Sequence, residues 1–128
     1  MMQTTHATIS LDLVGRVLEI ETDHFARVSL VTTDEMVVDT KGLIHGGFTF
    51  GLADYAAMTA VNHPNVVLTG AQVHFVRPVK LGDILLALGR VEEKDGQKRK
   101  VQVEIRVADK VVFQGKFNCF ITEKHVLD

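Results

Sequence analysis

The sequence predicts an α+β domain, with one antiparallel sheet curved around a single long helix. Two observations carry that expectation. Gly46 to Val61 is apolar nearly all round, as a helix enclosed by its own protein must be. Every segment after it has the length and patterning of a strand, with turn signals between. One helix cannot cover so many strands unless the sheet curls around it.

The elements follow in order. After a short lead, Arg16 to Thr22 and Phe25 to Thr32 read as strands, the second supported by Val28, Leu30 and its β-branched content. Thr33 to Gly42 reads as a loop with an extended stretch at Met36, Val37 and Val38. The helix ends at Asn62-His63-Pro64-Asn65, because Pro disfavours helical geometry in the residue before it. Four strands are predicted next: Val66 to Arg77, Gly82 to Glu93, Lys98 to Ala108 and Val111 to Thr122. In the third of these, Val101, Val103, Ile105 and Val107 alternate with Gln102, Glu104 and Arg106, a period of two that buries one face. Asp95-Gly96 supplies one hairpin turn and the region of Asp109 another.

The 128 residues fit one domain, 1–128, with a core over about 14–122, and contain no repeat or linker. A formal charge of −2 gives no pull toward nucleic acid or an anionic membrane. No apolar run approaches the roughly 20 residues of a membrane span, and Met1 to Leu13 lacks the plan of a secretory signal. Cys119 is the only cysteine, so no internal disulfide forms, which suits the cytoplasm. The six histidines are scattered without ligand spacing, so no metal site is expected, and nothing calls for a cofactor.

The chemistry-bearing feature is Asp54, the one charge in that oily helix, with His45-Gly46-Gly47 at the helix start, just before the run Phe48 to Val61. A charge among apolar neighbours costs free energy unless something uses it. The bland reading puts Asp54 on an exposed stripe; Leu52, Ala53, Tyr55 and Ala56 weigh against it. Gly46 and Gly47 read either as a tight helix entry or as unpaired N–H groups at the positive end of the helix dipole. His45 reads either as a structural residue or as part of the site.

Gly42-Leu43-Ile44-His45-Gly46-Gly47, Leu52-Ala53-Asp54, Val73-His74-Phe75-Val76-Arg77-Pro78 and Leu81-Gly82-Asp83 together resemble the hotdog-fold acyl-CoA thioesterases, most closely the phenylacetate-pathway (PaaI-like) type. The resemblance covers roughly residues 14 to 122. It implies a hotdog fold in a homodimer, or a dimer of dimers, that hydrolyses acyl-CoA to free acid and coenzyme A. By position, Gly46 N–H would polarise the thioester carbonyl, and Asp54 of the opposite subunit would act as nucleophile or general base, with His45 shaping the site. Asp39 stands six before the His, where related enzymes often have Asn. Leu68, with Thr69 beside it, falls nearest a position where some relatives have Ser or Thr. Gly47, Thr69 and Asp39 are thus candidate substrate-binding residues.

Spacing adds an argument independent of the family. Gly46 and Asp54 are eight residues apart, so they lie ~12 Å apart along one helix. A carbonyl's oxygen donor and its attacking group must both come within roughly 3 to 4 Å of one small centre. Two antiparallel helices related by a twofold axis can meet that condition; one helix cannot. If the pair is catalytic, the site is shared between two copies.

Other residues keep two readings. Thr69 could orient water, and by alternation His74 should point to the opposite face. Asp39 could equally cap its loop. Lys94, Lys98, Arg99 and Lys100 could meet coenzyme A phosphates or be a solvated turn. Cys119, between Phe117 and Phe120, reads as a packed residue. A non-catalytic acyl-CoA-binding or regulatory hotdog protein is the alternative. Regulators that bind DNA carry an extra segment for it, and residues 1 to 15 are too few to supply one. A hotdog dehydratase is a weaker third, since its His-Phe-Pro and Asn-Pro-x-His patterns are not seen.

Overall fold

A computed structural model describes residues 2–128. A single helical turn, α1 (Leu11–Val14), leads into β1 (Arg16–Glu21) and β2 (Phe25–Val31). A 3-10 turn at Asp34–Met36 precedes the long helix α2 (Gly46–Val61). Four strands follow: β3 (Val66–Phe75), β4 (Ile84–Asp95), β5 (Lys98–Val107) and β6 (Lys110–Ile121). They form one six-stranded sheet in the order β1-β2-β4-β5-β6-β3, with every neighbouring pair antiparallel. This is the curved sheet around one helix that the sequence predicts, and it is the hotdog fold.

The sheet holds α2 through its inward side chains. Val101, Val103 and Ile105 are fully buried, whereas Arg106 is exposed and Gln102 and Glu104 reach the surface in part. Each such aliphatic side chain contributes about 1.5–3 kcal/mol on burial. Leu52, Ala53, Ala56, Ala57 and Ala60 form the helix's side of the core. Their small size lets the backbones approach: a Cβ on Gly89 of β4 would stand 2.9 Å from the Ala56 carbonyl oxygen. Only glycine fits there without moving the helix.

The far end of α2 is closed by Asn62, which adopts a left-handed conformation (φ 53°) and donates its N–H to Met58 O at 2.8 Å. Pro64 stands two residues further on, and β3 starts at Val66. The Asn62 side chain binds the first residues of the chain. Its Oδ1 accepts the Thr4 N–H at 2.7 Å, and its Nδ2 donates to Met2 O at 2.7 Å and to Thr22 Oγ1 at 2.9 Å. The lead is therefore a strap laid on the helix.

Several details differ from the sequence expectation. The turn α1 is too short to show a period; it ends at Gly15 (φ 115°), where a Cβ would lie 2.8 Å from Ser29 O. β3 stops at Phe75, because the Val76 and Arg77 N–H groups both turn to Val112 O, at 2.8 and 3.2 Å. β4 begins at Ile84 and runs to Asp95, through a bulge between Val91 and Glu93. Among the described residues, no helix is long and apolar enough to cross a membrane, and no three His, Cys, Asp or Glu side chains are grouped to hold a metal.

Candidate active site

The start of α2 is pinned from both sides. Ile44 N–H donates to Val79 O at 2.9 Å and His45 N–H to Met36 O at 2.9 Å. His45 is the N-cap: its Nδ1 accepts the Gly47 N–H at 2.7 Å. That places the neutral ring's proton on Nε2. The next donor is free: among the described residues, no group of the chain accepts the Gly46 N–H. Gly46 borders a groove of about 300 Å³ with Leu43, Thr49, Phe75 and Arg77 along its wall. An unpaired N–H at the positive end of a helix, facing a groove, can stabilise a developing oxyanion.

Asp54 lies further along the same helix and is half-buried. Its Oδ1 is buried without a hydrogen-bond partner among the described residues. Burial pushes its carboxyl above the ordinary carboxylate range, and the neighbouring His6 pulls it back in part. Gly47, Gly51 and Asp54 recur at helical spacing; Gly47 is exposed and the other two are partly so, whereas every residue from Tyr55 to Val61 is buried. A Cβ on Gly51 would meet nothing within 4 Å. The helix thus keeps one partly open stripe that carries the carboxylate, while Phe50 beside it packs on Phe117 of β6, ring centroids 5.6 Å apart.

His6 carries no signal of its own in the sequence. It sits in the strap with left-handed backbone (φ 53°), its Nδ1 2.7 Å from Thr5 Oγ1 and its ring centroid 6.2 Å from that of Tyr55. Burial holds its imidazole below the ordinary value, while the Asp54 charge works the other way. Cys119 is also within the field of Asp54: burial first, and that charge second, push its thiol up to about 12. It is an inert packed residue.

The remaining candidates lie apart from the helix start. Asp39 caps its loop, its Oδ1 accepting from Lys41 N–H at 3.0 Å and Leu43 N–H at 3.2 Å. Through Leu43 it steadies the approach to His45. Thr69 sits in a bulge between Leu68 and Gly70 and donates to Asn118 O at 3.0 Å. The bulge breaks the alternation, so Thr69 and His74 are both exposed rather than split between faces. Thr69 borders a different groove, of about 370 Å³, with Lys98, Lys100 and Asn118. Two of the four hairpin cations are engaged within the chain, Arg99 with Asp23 at 2.9 Å and Lys100 with Glu93 at 3.7 Å.

Fold and helix start together define a hotdog-fold protein of the PaaI-like thioesterase type. The sequence profile described as Thioesterase superfamily matches residues 41–113, and the chain belongs to that family. It is similar to the uncharacterized protein PH1136 from Pyrococcus horikoshii, at 53% identity and a TM-score of 0.97 over 100% of this chain and 98% of that one. It is also similar to the PaaI protein from the phenylacetic acid degradation operon of E. coli, at 26% identity and a TM-score of 0.80 over 88% of this chain and 83% of that one. A methylthioribose-1-phosphate isomerase of Aquifex aeolicus is 49% identical over 88% of this chain, yet the match takes up only 25% of that protein. The transcription factor FapR of Caldanaerobacter subterraneus is 28% identical over 93% of this chain and 60% of its own length. The chain therefore spans a quarter to about three fifths of these two relatives.

Proposed function

We propose that this protein hydrolyses acyl-CoA thioesters to a free acid and coenzyme A, at two sites shared across a homodimer. The Gly46 N–H of one protomer polarises the thioester carbonyl. Asp54 of the other attacks the carbonyl carbon or activates water for the attack. One observation carries the reading: among the described residues, the N–H at the head of α2 and a carboxylate oxygen of Asp54 both lack a partner, and they lie on the same helix, too far apart for one substrate. A second copy whose helix runs antiparallel along the open stripe brings each to the other. Gly47 allows close approach of the substrate, while Asp39 acts by holding the loop and Thr69 contacts the outer part of the ligand. The chemistry needs no metal or cofactor, and the single reduced cysteine fits a cytoplasmic setting.

The test is release of free thiol from a panel of short, long and aromatic acyl-CoA esters, by wild type and Asp54→Ala. Turnover by wild type with a loss of at least ~100-fold in kcat for the variant is expected. Equal rates would remove Asp54 from the chemistry. The likeness to FapR favours a second reading, a regulatory domain that binds acyl-CoA without cleaving it. Tight binding with no turnover across the panel would establish that one instead.

A further inference from the structure

A second polar group meets the groove at the head of α2. Thr49 is buried, with 3% of its surface exposed, and it lines that groove beside Gly46. Among the described residues its hydroxyl has no hydrogen-bond partner. Thr59 on the same helix is the contrast, its hydroxyl donating to Tyr55 O at 2.8 Å. That backward bond satisfies a threonine inside a helix, and Thr49 does not make it. Nor is the Thr49 oxygen sealed in the core: the sealed side-chain oxygens that lack a partner belong to Thr33, Asp54 and Glu104. The little surface that Thr49 keeps therefore includes its hydroxyl, and the groove is where that surface lies. Helix geometry joins it to Gly46. The two stand three residues apart, so they share one face, with about 5–6 Å between their Cβ positions. The Cα–Cβ bonds of a helix tilt toward its N-terminus, which carries the Thr49 side chain back over the turn that begins at Gly46. The Phe75 ring forms the wall beside them, 3.2 Å from where a Cβ on Gly46 would stand, and it offers no acceptor to either donor.

We propose that Thr49 is a catalytic residue: its hydroxyl donates to the thioester carbonyl oxygen together with the Gly46 N–H, so that two donors meet the oxyanion. This rests on the reading that Gly46 polarises that carbonyl. A hydroxyl rotates its proton to whatever acceptor is within reach, and the Thr49 hydroxyl is engaged by no carbonyl of its own helix. Its β-branched side chain is stiff at χ1 and already packed, so little freedom is lost when substrate arrives. A donor set in place beforehand stabilises charge as it develops, with no reorganisation at the moment of reaction. No proton changes hands in this step. The hydroxyl keeps its hydrogen, and its bond to the carbonyl oxygen strengthens as that oxygen becomes negative.

Two measurements test the assignment. Thr49→Val keeps the branched shape and removes the hydroxyl, whereas Thr49→Ser keeps the hydroxyl; folding is checked by circular dichroism, and Thr49→Ala replaces a valine variant that does not fold. On the acyl-CoA panel, kcat of Thr49→Val should fall about 100-fold with KM changed by less than about twofold, while Thr49→Ser keeps most of the wild-type kcat. Wild-type kcat in Thr49→Val, or an equal loss in both variants, would overturn the proposal. The second measurement needs no turnover. Ketone analogues of acetyl-CoA and phenylacetyl-CoA, with a methylene group in place of the sulfur and carbon-13 at the carbonyl, are bound to the protein and followed by NMR. A donor on the carbonyl oxygen draws the carbon resonance downfield. That displacement should be smaller in Thr49→Val than in wild type and restored in Thr49→Ser; equal displacement in wild type and Thr49→Val would overturn the proposal. If wild type binds the analogues yet cleaves no thioester, the hydrolytic reading falls, and the resonance alone decides whether Thr49 meets the carbonyl. Neither binding nor turnover would overturn both.

Discussion

The Nδ1 of His45 accepts the Gly47 N–H at 2.7 Å, and a Cβ placed on Gly47 would lie at that same 2.7 Å from Nδ1. The imidazole and the glycine therefore occupy the space of one another's alternatives. His45 uses its acceptor on the helix cap, and the neighbouring Gly46 N–H, beside the groove, has no partner among the described residues.

The first prediction tests that cap. His45→Ala should lower stability by about 1 kcal/mol, and His45→Asn, which restores an acceptor at the N-cap, should recover most of it. Gly47→Ala should also destabilise, since the methyl group expels the ring from its bond. Thermal melts of the three variants beside wild type decide the matter; equal melting temperatures for His45→Ala and wild type would show the cap to be idle.

The second concerns Asp54 and pH. A carboxyl whose folded-state pKa is raised binds its proton more tightly folded than unfolded. Its effect on stability is therefore most favourable below the unfolded value and is lost as pH rises through the folded one. Asp54→Asn should accordingly melt higher than wild type at pH 7, with the gain shrinking as the solution becomes acid. Activity should run the opposite way and fall as pH drops through the raised pKa, because the ionised form reacts. A stability gain that grows on acidification would contradict the assignment.

The third tests the shared site directly. Gly46 is the first residue of α2, where Pro is tolerated, so Gly46→Pro removes the N–H while keeping the helix. Gly46→Pro and Asp54→Ala should each be nearly inactive alone. After mixing and subunit exchange, the hybrid dimer holds one site with both groups intact, and activity should reappear. Silence in the mixture, with exchange verified by mass spectrometry, would mean that both groups act within one protomer or that neither acts.

The fourth concerns the contact between helix and sheet. Gly89→Ala drives a methyl to 2.9 Å from Ala56 O, a backbone atom that cannot swing aside. The expected cost is about 1–3 kcal/mol, read from urea denaturation. Gly51→Leu is the contrasting case. Its side chain enters open space in the protomer, so folding should survive, while a partner lying on the stripe would be displaced. Gel filtration should show loss of the dimer, with loss of hydrolysis alongside it.

Much of this was legible in the chain. The α2 bounds follow from Gly46 and from Asn62 ahead of Pro64, and β5 follows from the strict alternation of Val101, Val103 and Ile105. These signals are local, set by periodicity and by the stereochemistry of two residue types. Asp54 was conspicuous because a single charge interrupts an apolar run. His6 was not, since its place beside Tyr55 is set by a strap without periodicity, fastened to Asn62 at the far end of α2. The bulge at Leu68 and Gly70 was hidden too: strand patterning assumes an unbroken ladder, and one extra residue reverses every later orientation. That is how Thr69 and His74 come to be exposed together.

The knot of bonds around Asn62 has a practical corollary for anyone handling the protein. An affinity handle placed ahead of Met2 would tug on the segment that carries His6, whereas residues 123–128 are exposed and lie after the last strand. Purification tags belong at that end.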